Sequence, residues 1–233
     1  MIKNLQGGMN MRQRKRVLSL RNLTVLFALM GLLAFLTSCV APFSDLQSAK
    51  LLGRGNVEVT PSYTSVSATS EGETEHIQNH YGVQAGYGLF GFMDLRLRYE
   101  RIDLNADEDS IGVNVFGFGP KFRLFKNWLA LYVPVGFAFG SDVQTSESWQ
   151  VHPTLLATLP IGKSLEINPS AKVMIPFQGD YSTLYAFNLG LAISTDVSKW
   201  ALRPEIGICT DFTGGHFMQL SIGFTVSSGL FKK

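Results

Sequence analysis

The residue best placed for covalent chemistry is Cys39. It follows Leu36, Thr37 and Ser38, at the end of an apolar run from Leu23 to Leu36. Once a leader is cut away, such a thiol can take a diacylglycerol through a thioether, and the freed amine can take an acyl chain. What precedes it fits that chemistry. Lys3, Arg12, Arg14, Lys15, Arg16 and Arg21 stand upstream with no acid among them. A basic region, a short apolar region and small residues before the cut are the order of a secretory signal. The apolar run falls short of the roughly 20 residues a spanning helix needs. Residues 1–38 are therefore expected to be a lipoprotein signal peptide in helical form, with Met9 or Met11 as alternative starts. Residues 39–54 are expected to be a lipidated polar linker. No cofactor is implied beyond the lipid on Cys39.

The other groups with chemical reach are His76, His80, His152 and His216, with Asp211 near the same rim of the layout described below. A general base needs a hydrogen-bonded partner and a positioned reacting group, and the spacing supplies neither. A transition-metal site from His76, His80 and His152 would rest on a His-x-x-x-His spacing in a loop, a thin basis. The expectation is solvated loop histidines, with no catalytic residue, no metal ligand and no enzyme activity. Gly86, Gly88, Gly117, Gly119, Gly136 and Gly140 match no phosphate loop, and no nucleotide or zinc motif occurs. They fall within alternating segments, where small residues relieve crowding.

The elements that would position these residues are strands. From residue 55 apolar and polar residues alternate with period two. Ten stretches are expected: 55–66, 79–90, 92–102, 111–125, 128–140, 148–160, 164–177, 183–197, 199–212 and 216–227. Connections after odd stretches tend to be longer and acidic, as at 67–78 (Glu71, Glu73, Glu75) and 103–110 (Asp107, Glu108, Asp109). Those after even stretches are tight, at Gly91, at Lys126 and Asn127, at 161–163 and at Ser198. An even number of stretches returns both ends to the tight-turn side, where the linker would tether the lipid.

One parity is apolar, for example Val57, Val59, Leu95, Leu97, Phe116, Phe118, Phe187, Leu189, Leu220 and Ile222. The other carries Gly, Ser, Thr and eleven charges: Glu58, Asp94, Arg96, Arg98, Glu100, Lys121, Arg123, Glu166, Lys172, Arg203 and Glu205. Phenylalanine rows on one face and charges at strand centres on the other suit lipid outside and a polar interior. Six positive and five negative groups suggest pairing with each other across a narrow lumen, because an unpaired buried charge is costly. Aromatics near strand ends (Tyr99, Trp149, Tyr185, Trp200) suit interfacial girdles. Pro61, Pro120, Pro134, Pro169 and Pro204 resist the pattern, since proline removes a ladder donor. Their shared height suggests a ring of bulges.

Bulk charge excludes one class. The whole chain has 20 basic and 18 acidic residues. Without the six basic residues of the leader, 14 face 18, a net of −4. Nucleic-acid binding loses its argument. Cys209 is left as the lone thiol, expected to be a small wall residue.

The strand and turn rhythm, with runs such as Gly119 to Leu124 followed by Leu131 to Gly136, resembles the bacterial outer-membrane β-barrel superfamily over residues 55–233. Here it is joined to a lipoprotein signal. The resemblance implies an all-β, antiparallel, up-and-down transmembrane barrel of about ten strands, with eight as the alternative. It implies outer-membrane lipid, the lipoprotein-processing machinery and the barrel-assembly machinery as partners. The lipid would sit in the periplasmic leaflet. The last strand of the family usually ends in an aromatic; here Phe231 is followed by Lys232 and Lys233. Architecture does not fix function. The expected role is structural, surface-binding or that of a narrow pore, with the lumen largely plugged by paired charges. The alternatives are a lipocalin-like lipoprotein holding an apolar ligand, and a rim hydrolase.

Overall fold

A computed structural model describes residues 42–228, apart from 71, 105–110, 141–142, 179–180 and 214. The expected signal peptide, Cys39 and residues 229–233 lie outside the described residues. The period-two alternation becomes thirteen strand stretches: β1 (Val57–Ser70), β2 (Glu73–Phe90), β3 (Met93–Leu104), β4 (Ile111–Phe125), β5 (Leu129–Tyr132), β6 (Val135–Phe139), β7 (Gln150–Val151), β8 (Thr154–Ala157), β9 (Leu159–Ile161), β10 (Leu165–Pro176), β11 (Leu184–Ile193), β12 (Trp200–Thr210) and β13 (His216–Ser227). Stretches β5 and β6 are one wall strand interrupted at Val133 and Pro134. Stretches β7, β8 and β9 are another, interrupted at His152, Pro153 and Thr158. The wall thus has ten strands, paired antiparallel in sequence order. Pairing of β1 with β13 closes the ring and leaves no open edge.

Glu58 pairs with Ser227, so the wall begins and finishes at the same end. That end, the turn end, carries connections 91–92, 126–128, 162–164 and 194–199; the loop end carries 71–72, 105–110, 140–149, 177–183 and 211–215. Two connections differ from expectation. The acidic loop at 67–78 is instead a strand extension, with Ser70 paired to Glu73 and a register shift between Val66 and Ser67 absorbing one residue. Polar side chains lock it across the strands, as where the Thr69 and Thr74 hydroxyls meet at 3.0 Å. At the turn end, 194–199 is longer than the single Ser198 expected. There Asp196 accepts from the Ser198 backbone N–H at 3.1 Å and from its hydroxyl at 2.6 Å.

The prolines do not form bulges. Register shifts occur elsewhere, at Val66/Ser67, Gly88/Phe90 and Arg123/Phe125. Pro61 keeps its pairing with Val83, and Pro204 with Ile222. On its other side each leaves a gap in the ladder with the register unbroken. The missing N–H removes one bond without displacing the strand. Carbonyls are still used: Val133 donates to Pro120 and His152 to Pro134, at 3.0 and 2.9 Å.

The two faces separate as their parity requires. Outside stand Val57, Val59, Leu97, Phe118, Phe187, Leu189, Leu220 and Ile222, all exposed. Aromatics gather toward both ends. Phe90 stacks on Phe92 and Trp200 meets Phe224 at the turn end, while Trp149 stacks on Phe137 and Tyr185 meets Phe212 toward the loop end. Tyr99 sits away from the ends, its hydroxyl donating to Asn114 at 2.8 Å.

Candidate functional site

The lumen is occupied by the chain's own amino-terminal segment. Residues 42–49 are buried, and nothing in 42–52 belongs to a strand. A segment without strand neighbours must find other partners for its peptide groups, and the inner wall supplies them as side chains. Glu205 accepts the N–H groups of Asp45 and Leu46, both at 2.8 Å. Thr158 accepts that of Ala49 at 2.7 Å, and Asp94 that of Leu52 at 3.1 Å. Wall cations and amides serve the carbonyls. Lys172 donates to Phe43 and Ser44 at 3.1 and 3.2 Å, and Asn188 to Phe43 at 2.7 Å. Lys121 donates to Ser48 and Lys50 at 3.1 and 2.9 Å, and Arg98 to the Ser44 carbonyl.

Two ion pairs add to this: Asp45 with Lys172 at 2.9 Å, and Lys50 with Glu166. Phe43 packs with Val66, Met174, Leu184, Ala186 and Cys209, and Ala49 with Ala130, Tyr132 and Leu156. Cys209 is thus a buried wall residue, as expected, and one wall of the Phe43 pocket.

The predicted interior charges meet two kinds of partner. Wall-to-wall pairs form where β1 to β4 meet. Arg96 bridges Glu58 at 2.7 Å and Asp94 at 3.3 Å, Lys121 approaches Asp94 at 3.8 Å, and Arg98 holds Glu100. Glu166, Lys172 and Glu205 face the inserted segment instead. Arg203 donates to the Thr225 hydroxyl at 2.8 Å. Arg123 is exposed at the turn end and takes no part in the buried set. Both signs are needed on the inner wall because a peptide backbone presents both donors and acceptors.

Small residues make the room. A Cβ on Gly86 would meet the Arg96 guanidinium at 2.8 Å. One on Gly88 would lie 1.8 Å from the Gly53 carbonyl oxygen, where the segment turns into β1. Gly53 and Gly55 hold φ values of 76° and 77° in that turn, and Gly55 donates to the Gly88 carbonyl at 2.7 Å. The left-handed region is one that residues with a Cβ rarely adopt. Between the segment and the wall remains a cavity of about 20 Å³ lined by Pro42, Arg98, Tyr132, His152 and Lys172, among others. That is room for about one water.

Sequence reasoning did not find Ser44, Asp45, Lys50, Thr158 or Asn188 as lumen partners, nor Gln219, which donates to Asn188 and Glu205, both at 3.0 Å. The available signal was the linker itself. A flexible tether is rich in Gly and Ser, whereas residues 42–52 include Phe43, Leu46, Ala49, Leu51 and Leu52.

The histidines do not converge. His76 is exposed with Nδ1 3.2 Å from the Ser65 hydroxyl, and His80 is buried, 3.3 Å from Glu100 and 2.9 Å from Gln78. His152 is buried against Gln150 at 3.1 Å. Two of the four are thus interior rather than solvated. Among the described residues no cluster of three metal-binding side chains occurs.

No family model matches this chain, and no curated protein matches it. Several solved structures are similar in shape. Ail, the attachment invasion locus protein of Yersinia pestis, is 10% identical, covering 75% of this chain and 99% of its own, with a TM-score of 0.37. The translocator domain of autotransporter NalP from Neisseria meningitidis is 8% identical, covering 88% and 97%, with a TM-score of 0.41. An outer membrane channel from Pseudomonas putida F1 is 12% identical, covering 79% and 99%, with a TM-score of 0.44. Identities this low carry nothing about ligand or role.

Proposed function

We propose that this protein is a non-enzymatic, lipid-modified barrel of the bacterial outer membrane, sealed by its own amino-terminal segment, with a structural or surface-binding role. Its exposed apolar face, with aromatics toward both ends, suits a bilayer between two interfaces. The observation that carries the sealed reading is the lodging of residues 42–52 inside the ring, hydrogen-bonded to the inner wall along its length. A pore needs a continuous polar path, and here side chains that would line one are spent on a peptide backbone. The lipocalin-like alternative needs an apolar interior. This interior holds Asp94, Glu100, Lys121, Glu166 and Lys172, each under 4% exposed.

Planar-bilayer recording tests the sealed reading. The purified protein is expected to be silent, and a variant lacking residues 42–52 is expected to show discrete conductance steps. Large, stable channels from the unaltered protein would refute it. Heat-modifiable migration of outer-membrane fractions on a gel tests the membrane assignment. A band that migrates identically with and without boiling speaks against a membrane barrel.

A further inference from the structure

We infer that the turn end of the barrel carries a ring of cations that holds the phosphate headgroups of anionic phospholipids in the adjoining leaflet. The inference rests on the outer-membrane reading above. It comes from how the exposed charges divide between the two ends of the wall.

At the turn end, outside the lumen, stand Arg54, Arg123, Lys126, Lys163 and Lys199, all exposed. Among the described residues one acid accompanies them, Asp196, and it lies 3.9 Å from Lys199. The other four cations join no ion pair among the described residues. The loop end is the reverse. Glu73, Glu75, Asp103, Glu147 and Asp211 are partly or fully exposed there. Among the described residues its single base is Arg101, paired with Asp103 at 3.0 Å. Five bases less one acid leave +4 at the turn end, and one base less five acids leaves −4 at the loop end.

The cations are spread around the ring rather than gathered on one side. Arg54 leads into β1, Arg123 and Lys126 stand where β4 gives way to β5, and Lys163 and Lys199 precede β10 and β12. The Arg123 N–H donates to the Phe92 carbonyl at 3.0 Å, which brings that residue to the turn between β2 and β3. A partner docking on one side would leave most of such a ring unused. A leaflet surrounds the barrel and meets all of it.

Aromatic neighbours fix the height. Lys126 Nζ lies 5.5 Å from the centroid of the Phe125 ring, and Trp128 is exposed two residues on. Phe92 is exposed beside Arg123, and Trp200 follows Lys199. Aromatic side chains favour the headgroup level of a bilayer. Lysine and arginine next to them lay their stems along apolar surface and carry the charge to the phosphates. One cation near an anionic headgroup is worth about a fivefold local preference. The acidic loop end repels the same headgroups, so the preference belongs to one leaflet.

The test uses the full-length protein in phosphatidylcholine vesicles with trace spin-labelled phosphatidylglycerol or spin-labelled phosphatidylcholine. The spectra report how much of each lipid the wall immobilises. Averaged over both leaflets, phosphatidylglycerol is expected to be favoured about twofold to fivefold at low salt. The ratio should fall close to one at about 1 M salt, where the screening length is about 3 Å. Replacing Arg54, Arg123, Lys126 and Lys163 together by Gln should bring the low-salt ratio close to one, while Arg101→Gln at the loop end leaves it unchanged. The salt titration needs no substitution and decides the matter if the fourfold variant does not fold. A low-salt ratio of one in the unaltered protein overturns the inference, as does a ratio that survives high salt. Loss of the preference on Arg101→Gln would put it at the wrong end. Displacement by inorganic phosphate beyond that by chloride at equal ionic strength would reassign the ring to a free anion, against the inference. Immobilisation of neither lipid would instead overturn the outer-membrane reading, because a membrane barrel holds a shell of lipid whatever the headgroup.

Discussion

The inner wall has two sides that hold their charges differently. Where β1 to β4 meet, acids and bases are partnered within the wall: Arg96 with Glu58 and Asp94, Arg98 with Glu100. From β10 to β13 the wall is incomplete by itself. Glu205 there accepts two backbone N–H groups, and Lys172 needs Asp45 and two carbonyls, all from the inserted segment. The first side has ion pairs of its own, although Asp94, Arg98 and Lys121 also bond the inserted segment. The second depends on a length of chain that belongs to no sheet. Buried charges are tolerated when paired and hydrogen-bonded, and the molecule meets that condition by two routes.

Deleting residues 42–52 should break the comparison most severely. Glu166 and Lys172 would lose their ion partners and Glu205 two of its donors, keeping Gln219, and one unpaired buried charge costs about 3–5 kcal/mol. Water entering the opened lumen would offset part of this. The expected result is a marked fall in unfolding temperature in detergent, centred on β10 to β13. Hydrogen exchange should show amides of β10 to β13 losing protection while β2 and β3 keep theirs. Uniform loss would mean that the two sides are not independent.

Asp45→Asn separates the sides more finely. Lys172 keeps its carbonyls but loses its counter-charge, a loss of about 3 kcal/mol for a buried pair. In a double-mutant cycle with Lys172→Met, coupling of about 1–3 kcal/mol is expected, as for residues in contact. With Arg96→Met the effects should add to within about 0.5 kcal/mol. Equal coupling in both cycles would dissolve the distinction.

Gly88→Ala probes the hinge where segment and wall join. The added Cβ would lie 1.8 Å from the Gly53 carbonyl oxygen, so the turn must move. Overpacking of this kind costs about 1–3 kcal/mol. Gly91→Ala, with open space around its Cβ, is the control and should be near neutral. Denaturant midpoints of the two variants settle the point.

The smallest effect lies outside the lumen altogether. Asp211, in the loop after β12, accepts from the Thr213 hydroxyl at 2.6 Å and from its N–H at 2.9 Å. These bonds hold its carboxyl below the ordinary value. A depressed folded value means that the contribution is present above the unfolded pKa of about 3.9 and is lost as pH falls through the folded one. Thr213→Ala should move the Asp211 carbon-13 titration upward, with little change in stability. An unmoved titration would show that the hydroxyl bond does not act.

The wall is already written in the alternation of residue types along the chain. Period-two alternation set which side chains face outward, and ten stretches with an even count set the closure of β1 on β13. Strand pairing is local in register, and a one-residue slip would turn every apolar side chain inward, so the pattern is written along each strand. It also marked Glu58, Asp94, Arg96, Arg98, Glu100, Lys121, Glu166, Lys172, Arg203 and Glu205 as interior, because parity alone decides that. It did not show which groups those charges meet. Parity says that Glu205 points inward but not that it accepts from Asp45 and Leu46, 160 and 159 residues away in the chain. Arg123 has interior parity yet is exposed near the turn end of β4, although its backbone still pairs with Ala130. The path of residues 42–52 was the tertiary structure's decision. A segment outside the sheet has no period of its own, and its backbone bonds become satisfiable only once ten distant strands have closed around it.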